Sequence, residues 1–174
     1  MKRALITLLA VTAIATLSAQ PQHERHRRPH HHEHAPHHKP RYMIGDFEVF
    51  FGGMHVKGAS AATFKVLQDG YALDAWNVYY DGVKIADASS NTFEVLGYGY
   101  ARDAWNAYYN GQKLKGASAS TFKVLGDGYA FDAWNVYFDG LKIDGATPGS
   151  FQILGDGYAR DTWNTYYYGR PIGN

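Results

Sequence analysis

The stretch Gly70-Tyr71-Ala72-Leu73-Asp74-Ala75-Trp76-Asn77-Val78-Tyr79-Tyr80-Asp81-Gly82-Val83-Lys84-Ile85 decides the fold. Within it, Asp81-Gly82 stands between two strand-prone runs. Both central residues of a type I′ turn need positive φ, which Asp and Gly tolerate, so the spacing predicts a tight hairpin. Its register would set Tyr79 opposite Lys84 and Val78 opposite Ile85, with the valine and isoleucine on one face. Farther along, Gly126-Asp127-Gly128 between Phe122-Lys123-Val124-Leu125 and Tyr129-Ala130-Phe131 marks a second turn. Apolar residues at helical spacing over about eleven positions are nowhere evident, and the chain reads as all-β.

The same stretch recurs without insertion. Trp76, Trp105, Trp134 and Trp163 follow one another at intervals of 29 residues. The same interval relates Phe64, Phe93, Phe122 and Phe151, then Tyr71, Tyr100, Tyr129 and Tyr158, and also Asp74, Asp103, Asp132 and Asp161. A further half copy, Phe50-Phe51-Gly52-Gly53-Met54-His55-Val56, falls on Tyr79 to Ile85. A unit this small, with three or four short strands, cannot bury both of its faces, so neighbours must stack and share a core. The expected architecture is a set of tandem 29-residue repeats of short antiparallel hairpins forming an open meander or solenoid-like array, with a small propeller-like ring as the alternative. Both ends carry the hairpin, so one end does not complete the other, which favours the open form. Pro171 would blunt the last edge by removing a backbone donor. The β-repeat domain is placed at 43–174, with a half repeat at 47–63 and repeats starting at 64, 93, 122 and 151.

Ahead of the repeats, residues 1–19 read as an export signal. Lys2 and Arg3 precede an uncharged stretch from Ala4 to Leu17, and Leu17-Ser18-Ala19 ends in a small residue suited to cleavage. A permanent anchor is the alternative, but spanning needs about 20 apolar residues, more than this run holds. No second apolar run of spanning length follows. The expected location is exported: periplasmic, cell-envelope associated or secreted.

Residues 20–42 change character. His23, His26, His30, His31, His32, His34, His37 and His38 sit among Pro21, Pro29, Pro36 and Pro40. Prolines block both helix and sheet, so a disordered linker is expected. Neutral imidazole binds zinc, copper and nickel, and a supple segment can bring several ligands together. These eight histidines are therefore the candidate metal ligands, and a solubilising, charge-tunable spacer is the alternative reading. With Arg25, Arg27, Arg28, Lys39 and Arg41 against Glu24 and Glu33, the segment carries +3 with histidine neutral and +11 with all eight protonated. Imidazole titrates near ~6.5, so mild acid would turn the segment toward anionic lipid or polysaccharide.

The whole chain, 174 residues and 19.4 kDa, is 45% apolar and 19% charged, enough for a packed core of one ordinary domain. It holds no cysteine, which excludes disulfides, thiolate metal sites and cysteine nucleophiles. A net charge of +1 gives no reason to expect nucleic acid as a partner. Envelope protein, polysaccharide or an anionic surface are the expected partners.

Trp76, Trp105, Trp134 and Trp163 admit two readings. Stacked aromatics beside polar groups suit a sugar ring, but a residue required by every repeat is commonly needed to build the repeat, and packing is the expected role. Asp74, Asp103, Asp132 and Asp161 are expected to bond backbone amides as Asx turns do, with calcium a weak rival because its oxygen ligands come clustered. Leu73, Arg102, Phe131 and Arg160 vary at one repeat position, which marks Arg102 and Arg160 as candidate basic surface contacts. No nucleophile elbow, phosphate loop or zinc-hydrolase pair is present, and no required cofactor is expected. Glycan hydrolysis would need two suitably placed carboxylates among the many aspartates.

The segment Asp74-Ala75-Trp76-Asn77-Val78-Tyr79-Tyr80-Asp81-Gly82, with Gly70-Tyr71-Ala72 before it and Ala88 to Leu96 after it, resembles the DKNYY repeat family of exported bacterial proteins. The likeness runs over roughly Phe47 to Ile172. Ala-Trp replaces the Lys-Asn of the family motif in three copies, and Thr162-Trp163 in the fourth. The resemblance implies no catalytic residues. Together these features lead to a non-enzymatic, exported binding or scaffolding module of the cell envelope, with a metal-binding protein that displays its histidines on the repeats as the alternative.

Overall fold

The computed structural model describes residues 41–173. The expected export signal, the expected linker up to Pro40 and the eight candidate metal ligands His23 to His38 lie outside the described residues.

The described chain is a row of five small antiparallel sheets, each a consecutive meander. The first has three strands: β1 (Tyr42–Ile44), β2 (Val49–Phe51) and β3 (Met54–His55). The next has four: β4 (Lys65–Val66), β5 (Tyr71–Leu73), β6 (Val78–Tyr80) and β7 (Val83–Lys84). The pattern repeats as β8 (Glu94–Gly97), β9 (Tyr100–Arg102), β10 (Ala107–Tyr109) and β11 (Gln112–Lys113). It repeats again as β12 (Lys123–Gly126), β13 (Tyr129–Phe131), β14 (Val136–Phe138) and β15 (Leu141–Lys142). It ends with β16 (Gln152–Gly155), β17 (Tyr158–Arg160), β18 (Thr165–Tyr167) and β19 (Arg170–Ile172). The sheets stay open and do not close into a propeller, so the molecule is a solenoid-like array.

The turns follow from their residues. Asp81 and Gly82 take φ of 45° and 79°, the positive pair that a type I′ hairpin needs. Tyr79 faces Lys84, and Ile85 N–H donates to Val78 C=O. The second turn has the same chemistry at Asp127 and Gly128, after a bulge between Val124 and Gly126. Pro171 sits on β19, the edge strand of the last sheet. Two features go beyond the sequence reading. A short 3-10 turn, such as Ala61–Thr63, leads into each four-stranded sheet. The first sheet also begins at Tyr42 rather than at 47, because Tyr42-Met43-Ile44 forms a strand paired with β2.

Each core cluster is shared by two successive sheets. Tyr100, Ala107 and Leu114 of one sheet pack against Phe122, Ala130 and Tyr137 of the next. The same arrangement recurs at the other three junctions. Rings line up across each seam, with Tyr100 5.7 Å from Phe122 and Phe122 5.6 Å from Tyr137. Alternation along each short strand explains this: Tyr100 and Ala107 point forward along the array, whereas Ala101 and Tyr108 point back into the preceding junction. Each of the three inner sheets has two buried faces and no core of its own.

A polar hook fixes the spacing at each seam. The buried Tyr100 hydroxyl donates to Gly128 C=O at 2.9 Å and accepts from Gly140 N–H at 2.9 Å, so one oxygen ties both turns of the next sheet. Tyr42, Tyr71 and Tyr129 do the same at their own junctions. Burial holds these phenols neutral; it pushes the Tyr42 hydroxyl up to about 12 even though the Gly82 N–H favours the anion. Beside the hook, the glycine of each following hairpin is crowded by the ring of the preceding sheet: a Cβ at Gly111 would lie 2.6 Å from Tyr80 Cβ. At Gly116, with a similar φ of 77°, a Cβ would meet nothing within 4 Å.

These contacts predict an ordered series in chemical denaturation. Tyr100→Phe leaves Gly128 C=O and Gly140 N–H without their partner and should cost about 1–3 kcal/mol. Gly111→Ala, strained in backbone and blocked by Tyr80, should cost clearly more than Gly116→Ala, which bears the backbone term of about 1 kcal/mol alone. Equal losses for the two glycine variants would contradict the seam described here.

Candidate functional site

Every four-stranded sheet turns the same corner between its second and third strands, at Asp74-Ala75-Trp76-Asn77 and its three equivalents. The corner is held by a buried carboxylate. Asp74 Oδ1 accepts from the backbone N–H of Trp76 at 2.8 Å and of Asn77 at 2.7 Å. Asp74 Oδ2 accepts from Ser60 N–H and from the Tyr79 hydroxyl, both at 2.9 Å. The Asn77 side-chain amide adds a longer contact to Oδ1 at 3.4 Å, so every acceptor position of the carboxylate is taken. The remaining amides of the corner are also satisfied: Asp74 N–H donates to Asn77 C=O, and Ala75 N–H to the Thr63 hydroxyl at 3.1 Å. Thr92, Thr121 and Ser150 supply the same hydroxyl in the other repeats. The aspartate therefore clamps the corner, the incoming 3-10 turn and a core tyrosine in a single unit.

The electrostatics follow from this saturation. Burial alone would raise the Asp74 carboxyl, but the N–H groups of Ser60, Trp76 and Asn77 and the Tyr79 hydroxyl outweigh it and hold the group below the usual carboxylate range. Asp103, Asp132 and Asp161 are lowered in the same way. Their tyrosine partners move the other way: burial and then the Asp132 charge push the Tyr137 hydroxyl up to about 12.

The tryptophans lie elsewhere than expected. Trp76, Trp105, Trp134 and Trp163 are 81, 79, 77 and 71% exposed, among the most exposed large side chains of the described residues. The Asp clamp takes their backbone N–H, and at this exposure the indoles bury little of their area, in contrast to the expectation that they pack the repeat. Tyrosine, phenylalanine, alanine and valine supply the buried area instead. The result is a set of indoles displayed at equivalent, rigidly braced positions of successive repeats.

The two candidate arginines occupy the same strand position but differ in partner. Arg102 Nε and Nη2 both donate to Glu94 Oε2, at 3.0 and 2.9 Å, so its charge is matched across the β8–β9 pair. Arg160 Nη2 donates to Gln152 Oε1 at 3.2 Å. Neither lies in a concave site with the indoles that any contact shows. Among the described residues no group of three or more His, Asp or Glu side chains is placed to hold a metal ion, and no helix is long and apolar enough to cross a membrane.

The clamps set the pH range of the fold. The aspartates are lowered on folding, so their contribution is complete above the unfolded carboxyl value of about 3.9 and is lost as pH falls through the folded values. The tyrosines are raised, so theirs is complete below about 10 and is lost as pH rises through the folded values. Melting temperature should be level from about pH 5 to about 9 and fall on both sides. Asp132→Asn, which sets an amide against two donors, should cost about 1–3 kcal/mol at neutral pH and make the acid limb shallower.

The profile of the DKNYY family matches residues 42–170, from the start of the first sheet to the first residue of the last strand. No curated protein and no solved structure matches the chain. With the match covering most of its length and every repeat of its array, the chain belongs to the DKNYY family.

Proposed function

We propose that this chain is a non-enzymatic binding or scaffolding module of the bacterial cell envelope, exported by its N-terminal signal, and that it engages its partner through the exposed tryptophans. One observation carries the reading: the corner takes only a backbone N–H at this position, yet Trp76, Trp105 and Trp134 place an indole there and leave it in water. Exposed apolar rings that the fold does not need are what a contact surface is made of. The buried aspartates add support, since their acceptor positions are filled by structural donors and are not offered to a substrate.

Identical contacts repeated along a chain suit a partner that is itself repetitive, because several weak contacts on one polymer act together. An envelope polysaccharide meets that description, and its sugar rings stack on indole faces. Titrating the purified chain with soluble cell-wall glycan while following tryptophan emission should give a saturable shift. Each of Trp76→Ala, Trp105→Ala and Trp134→Ala should weaken binding by about 5-fold, as expected of an aromatic contact worth roughly 1 kcal/mol. Thermal stability should stay within about 0.5 kcal/mol, as for other exposed sites. Unchanged emission across a panel of envelope glycans would remove polysaccharide as the partner.

A second reading rests on composition: His23, His26, His30, His31, His32, His34, His37 and His38 lie within one proline-rich segment and could take zinc, copper or nickel. Calorimetry with each ion should show uptake by the purified chain and none by a chain with these eight histidines replaced by serine. Equal uptake by both would place the ligands elsewhere.

A further inference from the structure

Among the described residues, the seam that joins one sheet to the next has an unfilled counterpart at each end of the array, and the two counterparts match. At the C-terminal end, Tyr158 stands where Tyr71, Tyr100 and Tyr129 stand in the earlier sheets. Those three are fully buried, whereas Tyr158 is 42% exposed, and its hydroxyl makes none of the hook's bonds among the described residues. Tyr167, in the position whose ring crowds the glycine of the following hairpin, is likewise exposed, as is Ile172, the equivalent of the buried Ile143. A face built to stay in water is polar; here Thr165 in place of Val136 and Arg160 in place of Phe131 move in that direction, while Tyr158, Tyr167 and Ile172 keep the seam's apolar side chains.

At the N-terminal end, Gly53 is the equivalent of Gly82, the glycine whose N–H receives a tyrosine hydroxyl. A Cβ at Gly82 would strike Phe51 at 2.7 Å, whereas at Gly53 it would meet nothing within 4 Å. Arg41 C=O occupies the position of Gly70 C=O, the acceptor of the Tyr42 hydroxyl, and closes its own turn by accepting from Gly52 N–H. Both halves of the socket are thus formed in the first sheet. Met43, at the position of Ala72, is exposed beside it.

We propose that a second copy of this chain docks head to tail. The Tyr158 hydroxyl of one copy would enter the turn socket of the next, donating to Arg41 C=O and accepting from Gly53 N–H, while Tyr167 lies over Gly53. The occupant is argued from continuity: the same hook already joins every pair of successive sheets within the chain. The joint between copies is weaker than an internal seam, because the first sheet has three strands and lacks the one corresponding to β4. A heterologous contact of this kind does not close on itself, so copies add into an open row. This inference is independent of what the tryptophans bind.

Sedimentation velocity of the purified chain from about 5 to about 500 µM tests it, a span that covers contacts of micromolar strength. The weight-average mass should rise steadily with concentration and pass the dimer without a plateau. Tyr158→Arg, which spoils the hook, and Gly53→Asn, which fills the socket with a residue that tolerates positive φ, should each remain monomeric alone while keeping the parental circular dichroism and melting temperature. Mixed in equal amounts they should form a discrete dimer and nothing larger, since each retains one intact end. A mass fixed at the monomer throughout, a plateau at a self-complementary dimer, or growth that survives both substitutions would overturn the proposal.

Discussion

A sheet made of strands two to four residues long has two faces and almost no interior, and here each inner sheet is covered on both sides, and each outer sheet on one, only by its neighbours. Covering alone would leave the sheets free to slide, since apolar contact is non-directional. The hook from each sheet to the next removes that freedom. One tyrosine oxygen must reach both glycine turns of the following sheet at hydrogen-bonding distance, so the spacing and orientation of every seam are set by the same two bonds. Glycine at the receiving turn is a second part of this constraint, because the approaching ring leaves no room for a Cβ. The constant repeat length follows: an inserted residue between hook and socket would break both bonds.

The aspartate clamp solves a different problem. A chain that changes direction every few residues exposes many backbone N–H groups, and buried ones must find partners. Asp132 takes five donors from three separate segments: the corner, the turn before the sheet and the core tyrosine. That division of labour frees the third residue of the corner. The clamp takes only the backbone N–H at this position, and the chain uses it for tryptophan in all four repeats. Position and side chain thus meet different demands: folding fixes the backbone, and the exposed ring is the surface through which the proposed contact would be made.

Much of this was legible before any coordinates, and the reason is that turn chemistry is local. Asp81-Gly82 and Asp127-Gly128 specify their turns and the hairpin register within a few residues, and the fixed interval between tryptophans implies stacking of like units. What escaped was non-local or ambiguous. The first strand was missed because Met43 stands for alanine and Gly45 for aspartate, which leaves Tyr42 as the one residue of the motif in place. The hook joins residues 28 and 40 positions apart, a relation that no short pattern displays. Tryptophan was misplaced for a deeper reason: recurrence at every repeat is produced equally by a structural need and by a periodic ligand, and only burial separates the two. Arg102 read as a free basic contact because its partner Glu94 lies across a bulged strand pair, whose register depends on the bulge.

Sharing every core between neighbours also ties stability to length. In such an array the free energy is a sum of seams more than a sum of sheets, so each internal sheet is held twice and each outer sheet once. The burial of equivalent residues follows this rule, from fully buried Tyr100 and Tyr129 to exposed Tyr158. Local opening is then easiest at the outer sheets and hardest in the middle. The corners of the middle sheets, with Trp105 and Trp134, are accordingly the best held. A partner that bridges several indoles would favour the arrangement in which all its corners are formed, and binding along the array would oppose opening at its ends. Rigidity of the seams and display of the rings are thus coupled through the backbone of the corner, although no indole takes part in the core.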